Sequence, residues 1–180
     1  MVTSSPNARL MNRENLLLAF LVVLFPVHVW AIVNIFFKVP GWIVQMSMWD
    51  VAGTAAYPLA FALLESVIVF IPVVILGLIL PASLRGDKFL PLITALVLLV
   101  SIWVGILHFS LGALQAWGTV ELLLGLGAFL LSLVVVFVLV ARSEKLSSAI
   151  TAFAKRLAVL SALYLLIDIF GLIVIVVRNF

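Results

Sequence analysis

The chain contains no cysteine and very few charged residues, and these two absences exclude several classes of protein. Without cysteine there is no disulfide, no thiolate-ligated metal site and no cysteine nucleophile. Charged residues make up 9% of the 180 residues and hydrophobic residues 67%, whereas a soluble domain averages about 25% charged and about 45–50% apolar residues. A water-soluble fold could not cover this much apolar surface, so the sequence predicts that lipid surrounds much of the chain.

Long apolar runs indicate which kind of membrane fold to expect. Because the bilayer core offers no water, the backbone must satisfy its own hydrogen bonds, in helices or in a closed barrel. A barrel would show short segments of alternating polarity, which are not seen here. The sequence therefore predicts an all-α integral membrane protein with about five transmembrane helices, each reaching the ~20 residues that a ~30 Å core requires. The predicted helices are Glu14–Phe37, Tyr57–Leu80, Phe89–Phe109, Thr119–Ala141 and Arg156–Val177.

The basic residues predict how the bundle is oriented, since Lys and Arg are enriched in cytoplasmic loops. A cytoplasmic N-terminus and an external C-terminus put eight of the ten basic residues inside. This distribution also explains the net charge of +3 without nucleic-acid binding, and it favours a multi-pass protein of the cell membrane. The inner set is Arg9, Arg13, Arg85, Lys88, Arg142, Lys145, Lys155 and Arg156, and the outer set is Lys38 and Arg178.

The chain is predicted to form a cytoplasmic tail, residues 1–13, and a single transmembrane domain, residues 14–180. The external segment Lys38–Ala56 is too apolar for an ordinary solvated loop, and Trp42 and Trp49 suit the headgroup level. We expect it to form either an interfacial helix or a re-entrant turn. Ser143–Phe153 is interpreted as an amphipathic stretch on the membrane surface.

Polar residues within the apolar runs are the best indicators of function, because a charge at a helix centre costs about 2.5–3.5 kcal/mol. Counted at ~1.5 Å per residue from the cytoplasmic end of each helix, the ionisable residues and Asn34 lie at depths of roughly 17–30 Å. The midplane lies near ~15 Å, so all of them fall in the outer half. The sequence thus predicts a polar pocket that is closed toward the cytoplasm and opens outward. Its candidate ligand- or proton-binding residues are His28, Glu65, His108, Glu121 and Asp168, with Asn34, Ser101 and Tyr164 in support.

Three predicted helices show which of their faces would line such a pocket. Small and polar residues recur on each at intervals of three, four or seven, which places each set on one stripe. Such stripes let membrane helices approach closely and hydrogen-bond. We expect them to face the bundle interior, although packing seams give the same pattern. The stripes are Thr94, Ser101, Gly105 and His108; Glu121, Gly125, Ala128 and Ser132; and Ser161, Tyr164, Asp168 and Gly171.

His28 lies at nearly the depth of Asp168, and within one turn of Glu65. A histidine–carboxylate pair would offset the desolvation of both groups, and burial favours the uncharged form of each, so both could exchange protons near neutral pH. The alternative is structural, because a protonated acid that bonds to a neighbouring helix is also a common arrangement. Pro26 and Pro72 are expected to kink their helices near this level and to free carbonyl groups.

Cofactor chemistry finds little support in the same residues. A bis-histidine haem would need His28 and His108 at matching depth, but the estimates differ by roughly 10 Å. Oxygen and nitrogen ligands are present, yet no local metal-binding spacing accompanies them. The phosphate-loop and nucleophile-elbow motifs are also missing. Both the metal and the cofactor therefore remain unassigned, and an enzyme is the third choice.

Two functional hypotheses remain. The first is proton-linked binding or transport of an ion, small molecule or lipid in an outward-facing pocket, with Lys38–Ala56 as its lid. Five helices are few for alternating access, so a homodimer is expected. The second is a non-catalytic membrane subunit or anchor, in which the buried acids fix helix packing and a partner subunit supplies the activity.

Overall fold

The computed structural model describes residues 12–110, 112 and 115–180, and within these ranges all regular structure is helical. In this part of the chain, five long helices and one helical turn of four residues follow one another. They are α1 (Arg13–Gln45), α2 (Met48–Ile79), α3 (Ala82–Arg85), α4 (Phe89–Phe109), α5 (Thr119–Arg142) and α6 (Glu144–Asn179).

The five long helices confirm the predicted all-helical bundle. Each is long and apolar enough to cross a membrane. The 21 residues of α4 give a length of about 31 Å, close to the ~30 Å hydrocarbon core. By contrast, the 33 residues of α1 and the 36 of α6 give about 50 Å and about 54 Å, so both helices are longer than that core.

Side-chain caps explain why the helices are separated by such short breaks. Ser47 accepts a hydrogen bond from the backbone N–H of Asp50 and begins α2 only two residues after α1 ends. Ser143 is the single residue between α5 and α6, and its hydroxyl accepts from the N–H of Leu146. Both serines have extended backbone angles, as is usual for N-cap residues.

Two segments that were predicted to lie on the membrane surface are instead parts of long helices, because the breaks between the helices are so short. Lys38–Ala56, expected to be a surface segment or lid, instead continues α1 to Gln45 and begins α2 at Met48. Ser143–Phe153 belongs to the first turns of α6 and to its cap. Pro40, three residues beyond the predicted end of the first helix at Phe37, lies within α1. Membrane helices tolerate proline where neighbouring groups take over the freed carbonyl. Residues 1–11 of the predicted cytoplasmic tail lie outside the residues that the structure describes.

Helices α1, α2 and α6 pack against one another and form the centre of the bundle. Helix α4 packs on α1 and α6, and α5 covers α4 and part of α6. We call the end that holds Arg13, Lys88 and Lys155 the basic end, and the end at the Met46–Ser47 turn the hairpin end. The main apolar core lies in the half nearer the basic end and consists of residues such as Val22, Phe89 and Ile93.

Helix α5 is the least buried of the long helices. Val140 is its one buried residue, whereas apolar side chains along its length, such as Leu123, are more than half exposed. A face of this composition is suited to contact with lipid.

Candidate functional site

One ionisable pair lies at the centre of the three-helix core. His28 of α1 is 0% exposed and Asp168 of α6 is 1% exposed. The Nε2 atom of His28 is 3.0 Å from both carboxyl oxygens of Asp168. Helix periodicity explains the inward direction of Asp168, because Ser161 and Gly171 lie on the same stripe of α6 and are also buried.

The hydrogen bonds of His28 limit where the protons of this pair can be. Its Nδ1 atom lies 3.0 Å from the carbonyl oxygen of Leu24. Because a carbonyl can only accept, Nδ1 must be the donor and must carry a proton. A hydrogen bond between Nε2 and the carboxyl group then needs one further proton, which is held either by Nε2 or by Asp168. The pair has no net charge in either arrangement. The two arrangements differ only in which atom holds that proton.

The surroundings of the pair are aromatic on one side and contain hydroxyl groups toward the basic end. The ring of Tyr164 stacks on the imidazole of His28, with centroids 5.6 Å apart and planes 8° from parallel. Ser66 and Ser161 are both 0% exposed. The Ser66 hydroxyl donates to the carbonyl of Ala62, but the Ser161 hydroxyl has no partner within the described part of the chain.

The register between α2 and α6 places these two serines at one level. Ala56 packs on Gly171, where a Cβ on the glycine would lie 3.6 Å from the Ala56 carbonyl oxygen. Ser66 lies ten residues from Ala56 along α2, and Ser161 lies ten residues from Gly171 along α6, both in the direction of the basic end. Since the helices are antiparallel and rise ~1.5 Å per residue, the two hydroxyls are at similar depth, roughly 10 Å from Asp168 along α6.

Toward the hairpin end, polar contacts close the core. Nη2 of Arg178 donates to Oδ1 of Asp50 at 2.8 Å, and the Arg178 side chain also packs over Gly53. The amide of Asn179 donates to the Tyr57 hydroxyl at 2.9 Å. These contacts join the end of α6 to the start of α2, and we call the Arg178–Asp50 ion pair the latch.

The latch is formed by ionised groups over a wide pH range. Asp50 precedes the apolar run that starts at Tyr57 and so lies outside the membrane-spanning segment. A hydrogen bond from the Ser47 hydroxyl, with the charge of Arg178 as a further cause, holds the pKa of Asp50 below its ordinary value of 3.8. At neutral pH the carboxylate is therefore ionised, and the latch is not a sensor of pH changes near 7.

Three of the five predicted binding residues do not join the buried pair. Glu65, His108 and Glu121 are all exposed on the surface of the bundle. The rings of His108 and Trp30 pack edge to face, with centroids 4.6 Å apart, and Glu121 lies near Gly118 at the start of α5. The predicted convergence of all five side chains is thus corrected. Depth along a helix was estimated from the sequence, but the direction around the helix depends on which neighbours it packs against.

The supporting residues and the predicted stripes give a mixed result. Tyr164 contacts His28 directly, whereas Asn34 and Ser101 donate to carbonyls of their own helices, those of Trp30 and Val97. The stripe of α6 faces the interior. The stripe of α4 is buried only at Thr94, and that of α5 has no buried member, since Val140 is the one buried residue of that helix.

Neither of two clefts in the bundle surrounds the His28–Asp168 pair. An apolar cleft of about 460 Å³ lies between α4, α5 and α6, and is lined by residues such as Leu99 and Phe153. A larger cleft of about 650 Å³ lies at the basic end, where Glu14, Lys88 and Lys155 line it. The predicted outward-opening polar pocket does not match either cleft.

Metal ligation would need several donor side chains close together. Within residues 12–110, 112 and 115–180, no group of three or more His, Cys, Asp and Glu side chains could hold a metal ion. His28 and His108 could not share a haem in this conformation, because His28 is fully buried against Asp168 while His108 lies exposed beside Trp30.

Two sets of contacts were not anticipated from the sequence. The latch joins residues that are far apart in the chain, and no local pattern signals it. At the basic end, Arg85 donates to carbonyls at the end of α2, and the Lys88 ammonium donates to the Ala141 carbonyl of α5. These cations cap helix C-termini, where basic side chains are favourable. The clustering of basic residues just after apolar runs could have suggested this role.

No protein-family model matches the chain, and neither the curated proteins nor the solved structures include a match.

Proposed function

We propose that this is a proton-linked membrane protein, in which the His28–Asp168 pair binds and releases a proton while an ion or small molecule is bound or moved. The observation that carries the proposal is the hydrogen-bond arrangement of the pair. Two titratable groups share one proton in a fully buried site, with Nδ1 of His28 fixed by the Leu24 carbonyl. Intramembrane ionisable residues commonly mark ion pathways and proton relays.

Loss of the shared proton would change the packing of the core. Without it, His28 and the Asp168 carboxylate would leave a net negative charge with 0% and 1% exposure. Such a charge is costly in a medium of low dielectric constant. Proton release therefore favours a rearrangement that admits water or a cation to the pair. This link between charge and packing supports coupling between proton release and cation entry.

The contacts at the hairpin end suggest the route by which the site would open. The apolar core closes the basic end with side chains such as Val22 and Phe89, whereas the hairpin end is closed by the exposed latch and the Asn179–Tyr57 bond. Exposed ion pairs are weak, because water and salt screen the two charges. We infer that this conformation is occluded and that α6 separates from α2 at the latch. The excess of basic residues at the other end supports a cytoplasmic location for that end.

The test is proton movement in reconstituted vesicles. The protein is incorporated into liposomes that contain a pH-sensitive dye, and proton uptake is followed after an imposed potential, with Na⁺, K⁺ or no added permeant cation. Asp168→Asn and His28→Gln should abolish uptake, because neither variant retains the shared proton. Glu121→Gln is the matched control, since it neutralises an exposed acid outside the core.

A direct measurement of protonation separates failed transport from a failed site. The chain has two histidines, so ¹⁵N-histidine NMR gives two sets of ring signals, and His108→Gln assigns them. His28 signals that change with pH in the parent but not in Asp168→Asn support the proposal. If the His28 signals stay constant across the pH range in which vesicle flux changes, the pair is not the proton site.

A second candidate function is a non-catalytic membrane subunit. It is favoured by Glu65, an acidic residue exposed on the lipid-facing side of α2, where a partner helix could cover it. On this hypothesis the pair fixes helix packing. The two variants would then lower stability, and the parent would show no flux above protein-free vesicles but would purify together with another membrane protein.

A further inference from the structure

Glu65 occupies an unusual position on the surface of the bundle. It lies near the middle of α2 and is exposed, between neighbours on the same face that are also exposed: Phe61 at 60% and Ile68 at 55%. The next residue, Ser66, is 0% exposed and faces the core. Glu65 is about 21 Å along α2 from its end at Ile79, which puts the carboxyl group within the hydrocarbon.

The described chain has no cation that could pair with this group. Its two ion pairs, His28–Asp168 and Arg178–Asp50, do not include Glu65. The Lys and Arg residues flank the apolar runs and do not lie at mid-depth. An acid facing lipid at a helix centre is costly, and such residues nearly always face protein or water. This position therefore calls for a hydrogen-bond partner from outside the chain.

The exposed face of α2 has the spacing of a helix-pairing seam. Six exposed residues recur at alternating intervals of four and three, which is the spacing of the a and d positions of a heptad. A single polar residue at such a position fixes the register and the number of helices at some cost in stability. Glu65 is the one charged member of the seam, which consists of Phe61, Glu65, Ile68, Pro72, Ile75 and Ile79.

We propose that this seam binds the same seam of a second copy of the chain, around a two-fold axis along the membrane normal. In a two-fold interface each residue near the axis meets its own copy. The two Glu65 carboxyl groups are then at equal depth, and one or two protons between them form carboxyl–carboxyl hydrogen bonds in place of two carboxylates. A different protein would need a donor at this depth, whereas a second copy supplies one by symmetry.

The absence of cysteine from the chain makes the interface testable with single thiols. Ile68→Cys puts one thiol in the seam, one turn from Glu65. Leu123→Cys is the matched control, since Leu123 is 62% exposed on α5 against 55% for Ile68. After oxidation in native membranes at low expression, Ile68→Cys should form a disulfide-linked dimer in high yield. Leu123→Cys should form one only at the level of random collisions.

Substitution of Glu65 in the Ile68→Cys background tests the role of the carboxyl group. Glu65→Leu should weaken association about three- to fifteen-fold, the range that interhelical hydrogen bonds in membranes give. Glu65→Gln should retain most of the association, because two glutamine amides can bond to each other. Dilution of the protein in lipid vesicles, followed by energy transfer between labelled copies, gives the association constant independently of the disulfide.

Three results would overturn the proposal. Equal yields from Ile68→Cys and Leu123→Cys would mean that the seam has no special role. Equal association of the Glu65→Leu variant and the parent would mean that the carboxyl group does not join the copies. Cross-linking of Ile68→Cys to a different protein would assign the face to a hetero-partner. None of these results depends on the His28–Asp168 pair, so the dimer and the proton site can fail separately.

Discussion

Replacement of Asp168 tests how the buried pair is held together. As an ion pair, the carboxylate would need further hydrogen bonds to its remaining lone pairs to offset its desolvation. Within the described residues, His28 is its one hydrogen-bond partner. We therefore predict that the resting pair is uncharged, with the proton on Asp168 and with neutral His28 protonated at Nδ1.

An uncharged pair predicts different losses of stability for Asp168→Asn and Asp168→Leu, although the two new side chains are of nearly equal size. In Asp168→Asn, the side-chain amide N–H can donate to Nε2 of His28, so the expected loss of stability is below about 1 kcal/mol. In Asp168→Leu, the buried Nε2 atom loses its partner, and the expected loss is about 1–3 kcal/mol. If the parent pair were ionic, removal of the carboxylate would cost about 3–5 kcal/mol in both variants.

A double-mutant cycle completes the test. His28→Leu with Asp168→Leu removes both polar groups and should recover much of the loss seen in Asp168→Leu, because a buried pair replaced by apolar residues is often near neutral. Reversible unfolding in mixed micelles gives the free energy of unfolding, and ¹⁵N NMR gives the protonation of His28. An imidazolium signal in the parent, together with equal losses in Asp168→Asn and Asp168→Leu, would refute the uncharged pair.

Two further predictions concern the contact between α2 and α6. Gly171→Ala should be tolerated, because a Cβ at this position lies 3.6 Å from the Ala56 carbonyl oxygen. Gly171→Leu should strongly lower the thermal unfolding temperature, because a larger side chain must separate the helices. Equal unfolding temperatures for the two variants would contradict this packing. Asp50→Asn should lower the unfolding temperature at pH 7, and the difference from the parent should disappear in acid. The reason is that a carboxyl group with a lowered pKa contributes stability at pH values above its ordinary pKa of 3.8, and this stability is lost as the pH falls through the lowered pKa. Circular dichroism from neutral to acid pH measures the unfolding temperatures of the parent and the variants. A difference between the parent and Asp50→Asn that is independent of pH would mean that the latch does not stabilise the fold.

The apolar runs predicted each of the five long helices within two residues at one end or at both. The α4 helix has the predicted bounds, and α5 ends one residue later than expected. The largest difference is at the basic end, where α6 begins at Glu144 and not at Arg156. The next largest are at the hairpin end, where the tryptophans favoured a surface segment. They lie within α1 and α2 because a capped turn as short as Met46–Ser47 suffices to reverse the chain.

The candidate site was predictable in part, from the depth that His28 and Asp168 share and from the small and polar residues on one face of α6. The stripe of Ser161, Asp168 and Gly171 identified the buried face of α6. On α2 the buried residues include Gly53, Ala62 and Ser66, a small-residue face that was not recognised. Glu65 lies away from that face, and recognising it would have predicted that Glu65 is exposed.

By itself, the sequence determined that the chain forms five long helices and how far apart the polar groups lie along each one. In lipid, a run of apolar residues must satisfy its backbone within a helix, and each residue advances a fixed distance along it. Only the tertiary structure decided which polar groups meet. Direction around a helix is set by which neighbours pack closely, and helices that are apolar on every side leave that choice open. The packing of α1, α2 and α6 brought His28 to Asp168 and left Glu65 facing outward.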